Sequence, residues 1–295
     1  MNFNTINAQT IHAAWLTGKK VELDVLRLDE IHPVISGNKW FKLKYYLQDA
    51  KASDKTTIAT FGGAWSNHIV AAAFACKESA LKSIGIIRGE KPGVLSETLK
   101  KALEYGMELH CVSREEYKEK EWIKQRFANK NCYWIDEGGY GLLGAKGASE
   151  ILSTVDISAY SHIAASVGTG TMLAGLLLSA SRQKVVGISS MKGNASMEKE
   201  ILRLVSNQKT EASFQIIQDY HFGGYGKHPK QLITFINEIY IEHNLPLDII
   251  YTGKTFFAIQ DLIKKDFFEP GSRILMIHSG GLQGNRRLLA KDLVY

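Results

Sequence analysis

The sequence predicts an α/β fold with mainly parallel sheets. Strand-like apolar segments alternate along the chain with segments whose apolar residues recur at helical spacing, and this alternation is typical of βαβ units. The segment Ile274-Leu-Met-Ile277 is a continuous apolar run, as expected for a parallel strand that is buried on both faces. Glycine clusters follow several of the strand candidates, where the turns of such units lie.

The predicted elements occupy most of the chain. Val21–Leu28 has the alternation of a strand. Asn38–Ala50 is predicted as a helix because apolar residues such as Leu43 and Leu47 recur at helical spacing. The further strand candidates are Thr56–Phe61, Leu81–Ile87, Met107–Val112, Cys132–Ile135, Ile163–Val167, Val185–Ser189, Phe214–Gln218 and Arg273–His278. The further helix candidates are Ser66–Ser79, Leu95–Tyr105, the charged segment Arg114–Asn129, a segment from about Leu143, Thr171–Arg182, Pro229–His243 and a short helix at the C-terminal end.

Composition and charge are those of an ordinary globular protein. The 295 residues are 45% hydrophobic and 22% charged, so the chain can bury a sizeable core without disulfides or metals. The formal net charge of +6 comes from scattered basic residues that often neighbour acidic ones, as in Lys118-Glu-Lys-Glu121. Because nucleic-acid binding needs a concentrated basic stripe, we expect no nucleic-acid partner and only a weak attraction to anionic metabolites.

The cysteines and the N-terminal segment indicate a cytoplasmic protein. Cys76, Cys111 and Cys132 form no Cys-x-x-Cys pair, and their odd number argues against a disulfide framework. Met1–Thr10 is polar and lacks the apolar core of a secretory signal. Since no apolar run approaches the roughly 20 residues of a membrane span, we expect no membrane partner.

Glycine-rich turns are expected to meet in one composite site. In open α/β sheets, ligands bind beyond the carboxyl ends of the strands, where most of these turns fall. The alternative is a set of separate tight turns, since glycine is the usual turn residue. The clusters are Gly62-Gly63, Gly138-Gly139, Gly168 with Gly170, Gly223-Gly224 and Gly280-Gly281.

Ser166-Val-Gly-Thr-Gly-Thr171 is a candidate phosphate site. It joins an apolar strand to a helix, so its small residues would expose backbone N–H groups at a helix N-terminus. It is not a Walker A motif, and Leu173 stands where a Rossmann fingerprint has its third glycine. A plain strand–helix turn is the alternative. Gly253-Lys-Thr255 imitates the end of a P-loop, but Asp248 occupies the position of the first P-loop glycine.

Two further segments carry candidate reactive groups. In Ser36-Gly-Asn-Lys39, a lysine before Trp40-Phe41 could lie in a partly apolar pocket, where desolvation favours imine chemistry. Considered alone, an exposed lysine is the better interpretation. In Gly63-Ala-Trp-Ser-Asn-His68, Ser66 either caps a helix or presents its hydroxyl to a substrate carboxylate. The Gly-x-Ser-x-Gly pattern of a hydrolase is missing.

Tyr225, in Gly223-Gly-Tyr-Gly226, and Tyr251, in Tyr251-Thr-Gly-Lys254, both lie beside glycines and could reach a ligand. The alternative for either is a core ring with a satisfied hydroxyl. The nine histidines show no His-Glu-x-x-His motif and no paired His/Cys spacing, so we expect no catalytic metal.

Together these motifs resemble the 1-aminocyclopropane-1-carboxylate deaminase/D-cysteine desulfhydrase family, which belongs to the tryptophan-synthase-β-like, fold type II pyridoxal-phosphate enzymes. The resemblance begins with the segment from Arg27 to Lys44 and spans nearly the whole chain. The matching motifs are, in order, Ser-Gly-Asn-Lys39, Gly-Gly-x-x-Ser-Asn-His68, Gly-Thr-Gly-Thr171, Tyr-Gly226, Tyr-Thr-Gly-Lys254 and His-Ser-Gly-Gly281.

The resemblance implies pyridoxal 5'-phosphate as cofactor and a residue for each part of it. Lys39 would bind it as an imine and later shuttle a proton. Asn67 would hydrogen-bond the ring oxygen, and Tyr251 would stack on the pyridine ring. The phosphate would be held by Gly168, Thr169, Gly170 and Thr171.

The resemblance also implies how the substrate is bound. Ser66 would meet the carboxylate of a small amino acid and assist proton transfer, and Tyr225 would approach the same substrate. Ser279, in preference to Thr252, would face the pyridine nitrogen. Such enzymes are commonly homodimers with two domains and the active site between them. Here we expect residues 1–45 and 153–295 to form a large cofactor-binding domain and residues 46–152 to form a small inserted domain.

Thr252 favours one activity of the family over the other. The deaminase branch places glutamate directly after the stacking tyrosine, and a carboxylate at the pyridine nitrogen keeps that nitrogen protonated. A hydroxyl holds the proton less firmly, which suits β-elimination better than opening a cyclopropane. We therefore predict a D-cysteine desulfhydrase-like lyase that gives pyruvate, ammonia and sulfide. The alternatives are a 1-aminocyclopropane-1-carboxylate deaminase and a non-catalytic ligand-binding member of the fold.

Overall fold

The computed structural model describes residues 6–33, 35–193, 196–206, 210–288 and 292–295, and builds them around two β-sheets. The strands are β1 (Ala8–Ile11), β2 (Glu22–Arg27), β3 (Thr57–Gly63), β4 (Lys82–Arg88), β5 (Met107–Val112), β6 (Cys132–Ile135), β7 (His162–Val167), β8 (Lys184–Ser189), β9 (Phe214–Ile217) and β10 (Arg273–His278). The helices are α1 (Ala14–Thr17), α2 (Asn38–Ala52), α3 (Asn67–Glu78), α4 (Glu97–Glu104), α5 (Lys120–Arg126), α6 (Leu142–Ser149), α7 (Thr171–Ser179), α8 (Met197–Val205), α9 (Lys230–His243) and α10 (Thr252–Lys264).

The larger sheet has the strand order β1-β2-β10-β7-β8-β9. Its strands are parallel except for β1, which pairs with β2 in the antiparallel sense. The run Ile274–Ile277 lies in β10, between β2 and β7, and is fully buried. Both faces of this strand are covered, which explains its continuous apolar sequence. The predicted α/β fold with mainly parallel sheets is confirmed.

The smaller sheet has the order β5-β4-β3-β6 and is entirely parallel. All four strands come from residues 57–135, which lie inside the segment predicted as the small domain. The domain boundaries at residues 46 and 152 stay a prediction.

Helices cover both faces of each sheet. One core of the larger sheet packs against α6, α7 and α8, and the opposite core packs against α9 and α10. The smaller sheet packs α2, α3 and α4 on one face and the segment around α5 on the other. None of the described helices is both long and apolar enough to cross a membrane.

A close helix contact joins the two parts of the chain. A Cβ atom on Gly147 of α6 would lie 1.9 Å from the carbonyl oxygen of Phe41 in α2. Glycine is therefore required for α6 to approach the backbone of α2 so closely. Gly175 of α7 similarly lies against α6, where its Cβ would be 2.5 Å from the Cβ of Ala148. These contacts hold the start of α2 next to the start of α7.

The predicted helix at Arg114–Asn129 is wrong as a single element. Only Lys120–Arg126 is α-helical, with 3₁₀ turns at Glu116–Lys118 and Ala128–Lys130 on either side. Tyr117 and Ile123 are both buried, yet a spacing of six residues puts two side chains on different faces of one helix. The chain breaks between them so that both can pack in the same core.

Four of the described strands and α-helices were not predicted. They are β1, α1, α8 and α10. The core face of α10 contains Phe256, Ile259 and Ile263 at helical spacing, so a signal was present.

Candidate active site

A cavity of about 770 Å³ lies between the two sheets. It is bordered by the turns that follow β3, β7 and β10, so it lies at the carboxyl ends of strands from both sheets. Four of the five predicted glycine clusters meet here: the cavity is lined by Gly63, Gly138, Gly168 with Gly170, and Gly280 with Gly281, but not by Gly223 or Gly224. The predicted site residues that line it are Lys39, Ser66, Asn67, Gly168, Thr169, Gly170, Tyr225, Tyr251 and Ser279. Thr171 and Thr252 are fully buried behind its wall.

Lys39 enters the cavity from the first turn of α2. Gly37, with φ +69°, approaches the turn after β10 so closely that a Cβ would lie 1.8 Å from the carbonyl oxygen of Ser279. The backbone N–H of Asn38 donates to the same oxygen at 3.2 Å. Lys39 Nζ then donates to Asn38 Oδ1 at 2.8 Å. The Gly-Asn pair thus directs the lysine into the site.

The environment of Lys39 favours its neutral amine. Burial lowers the pKa of Lys39 to about 8, and the carboxylate of Asp248 opposes this shift. Only the neutral amine can attack an aldehyde, so the surroundings prepare this lysine for imine formation.

The turn after β7 can receive a phosphate. Gly170, with φ +78°, precedes the first residue of α7, and the hydroxyls of Thr169 and Thr171 lie 3.1 Å apart. A Cβ on Gly168 would lie 3.2 Å from the ring of Tyr251, so glycine leaves room for this ring to lie close over the turn. Backbone N–H groups at a helix N-terminus, two hydroxyls and no side-chain bulk form a favourable anion site.

Lys42 completes this anion site and was missed in the sequence. Its Nζ lies 3.4 Å from Thr169 Oγ1, and its side chain is almost fully buried. Burial, reinforced by Lys39, moves the pKa of Lys42 well below its usual value, and no acidic side chain in the described part of the chain pairs with it. A bound phosphate would favour the protonated form of this buried lysine and pair with it. Its position three residues after Lys39, on the same side of a helix, was the available signal.

Ser66 and Asn67 begin α3 at the opposite wall. Ser66 occupies the N-cap position, but its side chain makes no capping hydrogen bond, so the alternative interpretation as a helix cap is not observed. Asn67 Nδ2 donates to the carbonyl oxygen of Gly281 at 3.3 Å. Asn67 Oδ1 is buried and has no partner among the described atoms, which suits an amide that awaits a ligand.

Two tyrosines border the cavity near the phosphate turn. The rings of Tyr225 and Tyr251 are 6.1 Å apart between centroids, with an interplanar angle of 64°. Burial raises the pKa of Tyr251 well above its usual value, so its phenol stays protonated. Tyr225 is 49% exposed and lies at the mouth.

Ser279 and Thr252 differ in what they can reach. Ser279 lines the cavity, and its Oγ lies 3.2 Å from Ser166 Oγ. Thr252 instead donates its hydroxyl to Asp248 Oδ2 at 2.7 Å and is not brought to the cavity. The carboxylate of Asp248 also accepts the backbone N–H groups of residues 250–252, which fixes the start of α10.

The site fits pyridoxal phosphate. An amine of lowered pKa, an anion site with a buried lysine, a ring above a glycine and an unpartnered amide oxygen surround one cavity. This fold and site define a fold type II pyridoxal-phosphate enzyme.

Comparison with known proteins identifies the family. Residues 9–280 match the family described as pyridoxal-phosphate dependent enzyme, and the chain belongs to that family and, within it, to the 1-aminocyclopropane-1-carboxylate deaminase/D-cysteine desulfhydrase group. Its cofactor is pyridoxal 5'-phosphate.

Individual relatives support this assignment. A Pyrococcus abyssi protein, provisionally named 1-aminocyclopropane-1-carboxylate deaminase, is 30% identical over 90% of this chain and 86% of its own length. The bifunctional D-cysteine desulfhydrase/1-aminocyclopropane-1-carboxylate deaminase of Arabidopsis thaliana is 28% identical over 89% of this chain and 73% of its own length. A crystal structure of an ACC deaminase homologue matches with a TM-score of 0.82 and 26% identity over 96% of this chain and 91% of that chain. The roles of individual residues remain predictions.

Proposed function

We propose that the protein is a lyase that catalyses α,β-elimination on a small amino acid, with D-cysteine as the first candidate. Cysteine and water would give pyruvate, ammonia and hydrogen sulfide. The observation that carries this choice is the position of Thr252. The residue after the stacking tyrosine is a threonine whose hydroxyl is bonded to Asp248, outside the cavity.

The electrostatics around the cofactor ring support elimination. With Thr252 turned away, the hydroxyl of Ser279, backed by Ser166, is the group proposed to face the pyridine nitrogen. A hydroxyl holds a proton on that nitrogen less firmly than a carboxylate does. Elimination tolerates this because departure of the thiolate removes the negative charge that develops at the α-carbon. Opening a cyclopropane that lacks an α-hydrogen depends more strongly on the protonated ring.

The chain's own groups can perform the remaining tasks. Bound pyridoxal phosphate supplies the electron sink for charge at the α-carbon. Lys39 would hold the cofactor and then move the α-proton with an amine whose pKa of about 8 suits a general base near neutral pH. Ser66 and the N-terminus of α3 would orient the substrate carboxylate. Lys42, Thr169 and the start of α7 would bind the phosphate and leave Lys39 free to transfer protons.

Cyclopropane ring opening is the second candidate. The names of the relatives favour it, because the Arabidopsis thaliana protein is described as bifunctional and the Pyrococcus abyssi protein is provisionally named a deaminase.

An assay of the cofactor-loaded protein separates the candidates. Pyruvate and sulfide release should be measured with D- and L-cysteine and other β-substituted amino acids, alongside ring opening of 1-aminocyclopropane-1-carboxylate. We expect elimination from a cysteine to be the faster reaction. Ring opening with no cysteine turnover would reverse the choice.

Lys39→Ala tests the cofactor linkage. Because the alanine variant has no amine for the imine, the near-visible absorbance of the pyridoxal imine should disappear and turnover should fall by several orders of magnitude. Lys51→Met, at an exposed position of the same helix, is the control and should keep both. If the wild-type protein showed no imine band and no turnover, the non-catalytic alternative would be favoured.

A further inference from the structure

Lys254 is a fully buried lysine that the proposed reaction does not use. It lies in the first turn of α10, in the segment Gly253-Lys-Thr255 that imitates the end of a P-loop. Its side chain has no exposed surface, which is rare for lysine unless the ammonium is paired or hydrogen-bonded. It does not line the cavity, so it is not a cofactor or substrate ligand.

The ammonium of Lys254 binds the turn that carries Tyr225. Its Nζ donates to the carbonyl oxygen of His221 at 2.9 Å and to that of Gly224 at 2.8 Å. The same two oxygens accept the backbone N–H groups of Gly224, at 3.0 Å, and Lys227, at 3.2 Å. Tyr225 directly follows one of these carbonyls. The lysine therefore holds the turn at two of its backbone carbonyl groups.

The backbone of this turn needs such support. Phe222, Gly223 and Gly224 have φ values of +52°, +90° and +118°. A positive φ at a phenylalanine is unfavourable and persists only where surrounding contacts impose it. Two hydrogen bonds to a charged donor are strong enough to do so.

The other end of the lysine is held rigidly. A Cβ on Gly253 would lie 2.6 Å from Ile236 and 2.8 Å from the carbonyl oxygen of Asp248, so the start of α10 packs tightly against its neighbours. Tyr251 is the N-cap residue of α10, and Lys254 lies in its first turn. The start of α10 thus carries both the ring above Gly168 and the ammonium that binds the Tyr225 turn.

We propose that Lys254 is a positioning residue for the substrate side of the site: it holds the 221–227 turn so that the Tyr225 ring stands over the cavity next to Tyr251. The inference rests on the proposed function for the part that Tyr225 plays toward substrate. The cost of burying a charge supports it. Burial lowers the pKa of Lys254 to about 8, and an apolar side chain of similar length would fill the same space without that penalty. Retaining a cation here is understandable if the two carbonyls must be held.

The first test measures the turn itself. Hydrogen exchange of the 221–227 segment should be compared in the wild type, Lys254→Met and the control Lys264→Met, which changes an exposed lysine of the same helix. We expect the amides of Gly224 and Lys227 to exchange at least about tenfold faster in Lys254→Met only, since their acceptors lose a charged partner. Unchanged exchange would overturn the proposal. If Lys254→Met fails to fold, Lys254→Gln, which keeps one amide donor, takes its place with the same expectation.

The second test links the lysine to Tyr225. In the cofactor-loaded enzyme, Lys254→Met should keep the imine absorbance and raise KM by about tenfold, with a smaller effect on kcat. If the lysine acts through the ring, its effect should largely vanish in a Tyr225→Ala background, because the two changes then remove one interaction. If the effects of Lys254→Met and Tyr225→Ala on KM are fully additive, Lys254 does not act through the Tyr225 ring and the proposal is wrong. If cysteine is not a substrate, the proposed function is wrong. The hydrogen-exchange result still decides whether Lys254 holds the 221–227 turn.

Discussion

Single residues determine which part of the cofactor is predicted to bind at each wall of the cavity. Lys39 and Lys42 lie on one side of α2, yet they meet different groups: Lys39 reaches Asn38, and Lys42 reaches Thr169 of the phosphate turn. Lys42 is buried and Lys39 is partly exposed toward the cavity, and both have a lowered pKa, for which desolvation is the largest cause. We propose that one helix supplies the amine for the aldehyde end of the cofactor and the lysine that pairs with its phosphate.

The lowered pKa of Lys39 predicts the pH dependence of cofactor uptake. The neutral amine attacks the aldehyde, and its fraction rises as pH increases through the pKa, which is about 8 here instead of 10.5 for an ordinary lysine. Mixing the cofactor-free protein with pyridoxal phosphate at different pH values should give an imine formation rate that is half-maximal near pH 8, the pKa of the amine, and levels off above about pH 9. A rate still rising steeply beyond pH 9.5, roughly the range of an exposed lysine, would contradict the buried environment.

The phosphate role of Lys42 predicts a loss of cofactor affinity. Lys42→Met should weaken binding of pyridoxal phosphate by roughly tenfold to a hundredfold, since a charge-assisted hydrogen bond contributes about 1.5–3 kcal/mol. Lys51→Met, on the exposed side of the same helix, is the matched control. Dissociation constants from titrated absorbance would measure both. Equal affinity in the two variants would remove Lys42 from the anion site.

At the scale of elements, tight helix contacts set the site geometry. The cavity needs α2, α6 and α7 to approach closely, and Gly147 and Gly175 make that approach possible. The break between Tyr117 and Ile123 shows the same preference for packing over local helix continuity.

Gly147→Ala tests this contact. The added methyl would lie 1.9 Å from the Phe41 carbonyl oxygen, so α2 must shift and Lys39 with it. We expect the free energy of unfolding to fall by about 1–3 kcal/mol or more, together with weaker cofactor binding. Gly93→Ala, where an added Cβ meets nothing within 4 Å, is the control and should change neither. Thermal unfolding measures the change in stability, and titration of the folded protein with pyridoxal phosphate measures the change in cofactor binding.

At the scale of the whole molecule, the two sheets divide the chemistry. Elements that follow strands of the larger sheet contribute the phosphate turn, Tyr251 and Ser279, whereas the smaller sheet contributes Ser66 and Asn67 through the turn after β3. On the predicted roles, the wall of the larger sheet holds the phosphate, and the opposite wall binds the substrate carboxylate through Ser66 and the cofactor ring oxygen through Asn67.

This division predicts how Ser66→Ala behaves. Loss of the hydroxyl that is proposed to meet the substrate carboxylate should raise KM by roughly tenfold and leave cofactor affinity close to that of the wild type. Ser79→Ala, at the far end of α3, serves as the reference variant. Steady-state kinetics with absorbance titration would show the difference. A variant that loses cofactor while keeping KM would place Ser66 at the other wall.

The sequence alone determined the alternation of strands and helices and the turn after β7, because these depend on short motifs whose geometry is local, such as a glycine turn that opens a helix. The cofactor class and the role predicted for Lys39 came from the resemblance of six ordered motifs to a known family. Only the tertiary structure decided that Lys42 reaches a threonine 127 positions away, that Thr252 turns to Asp248, and that Lys254 holds the Tyr225 turn. Such contacts depend on how two sheets and their helices pack, and helical or strand periodicity in the sequence carries no information about which distant segments will meet.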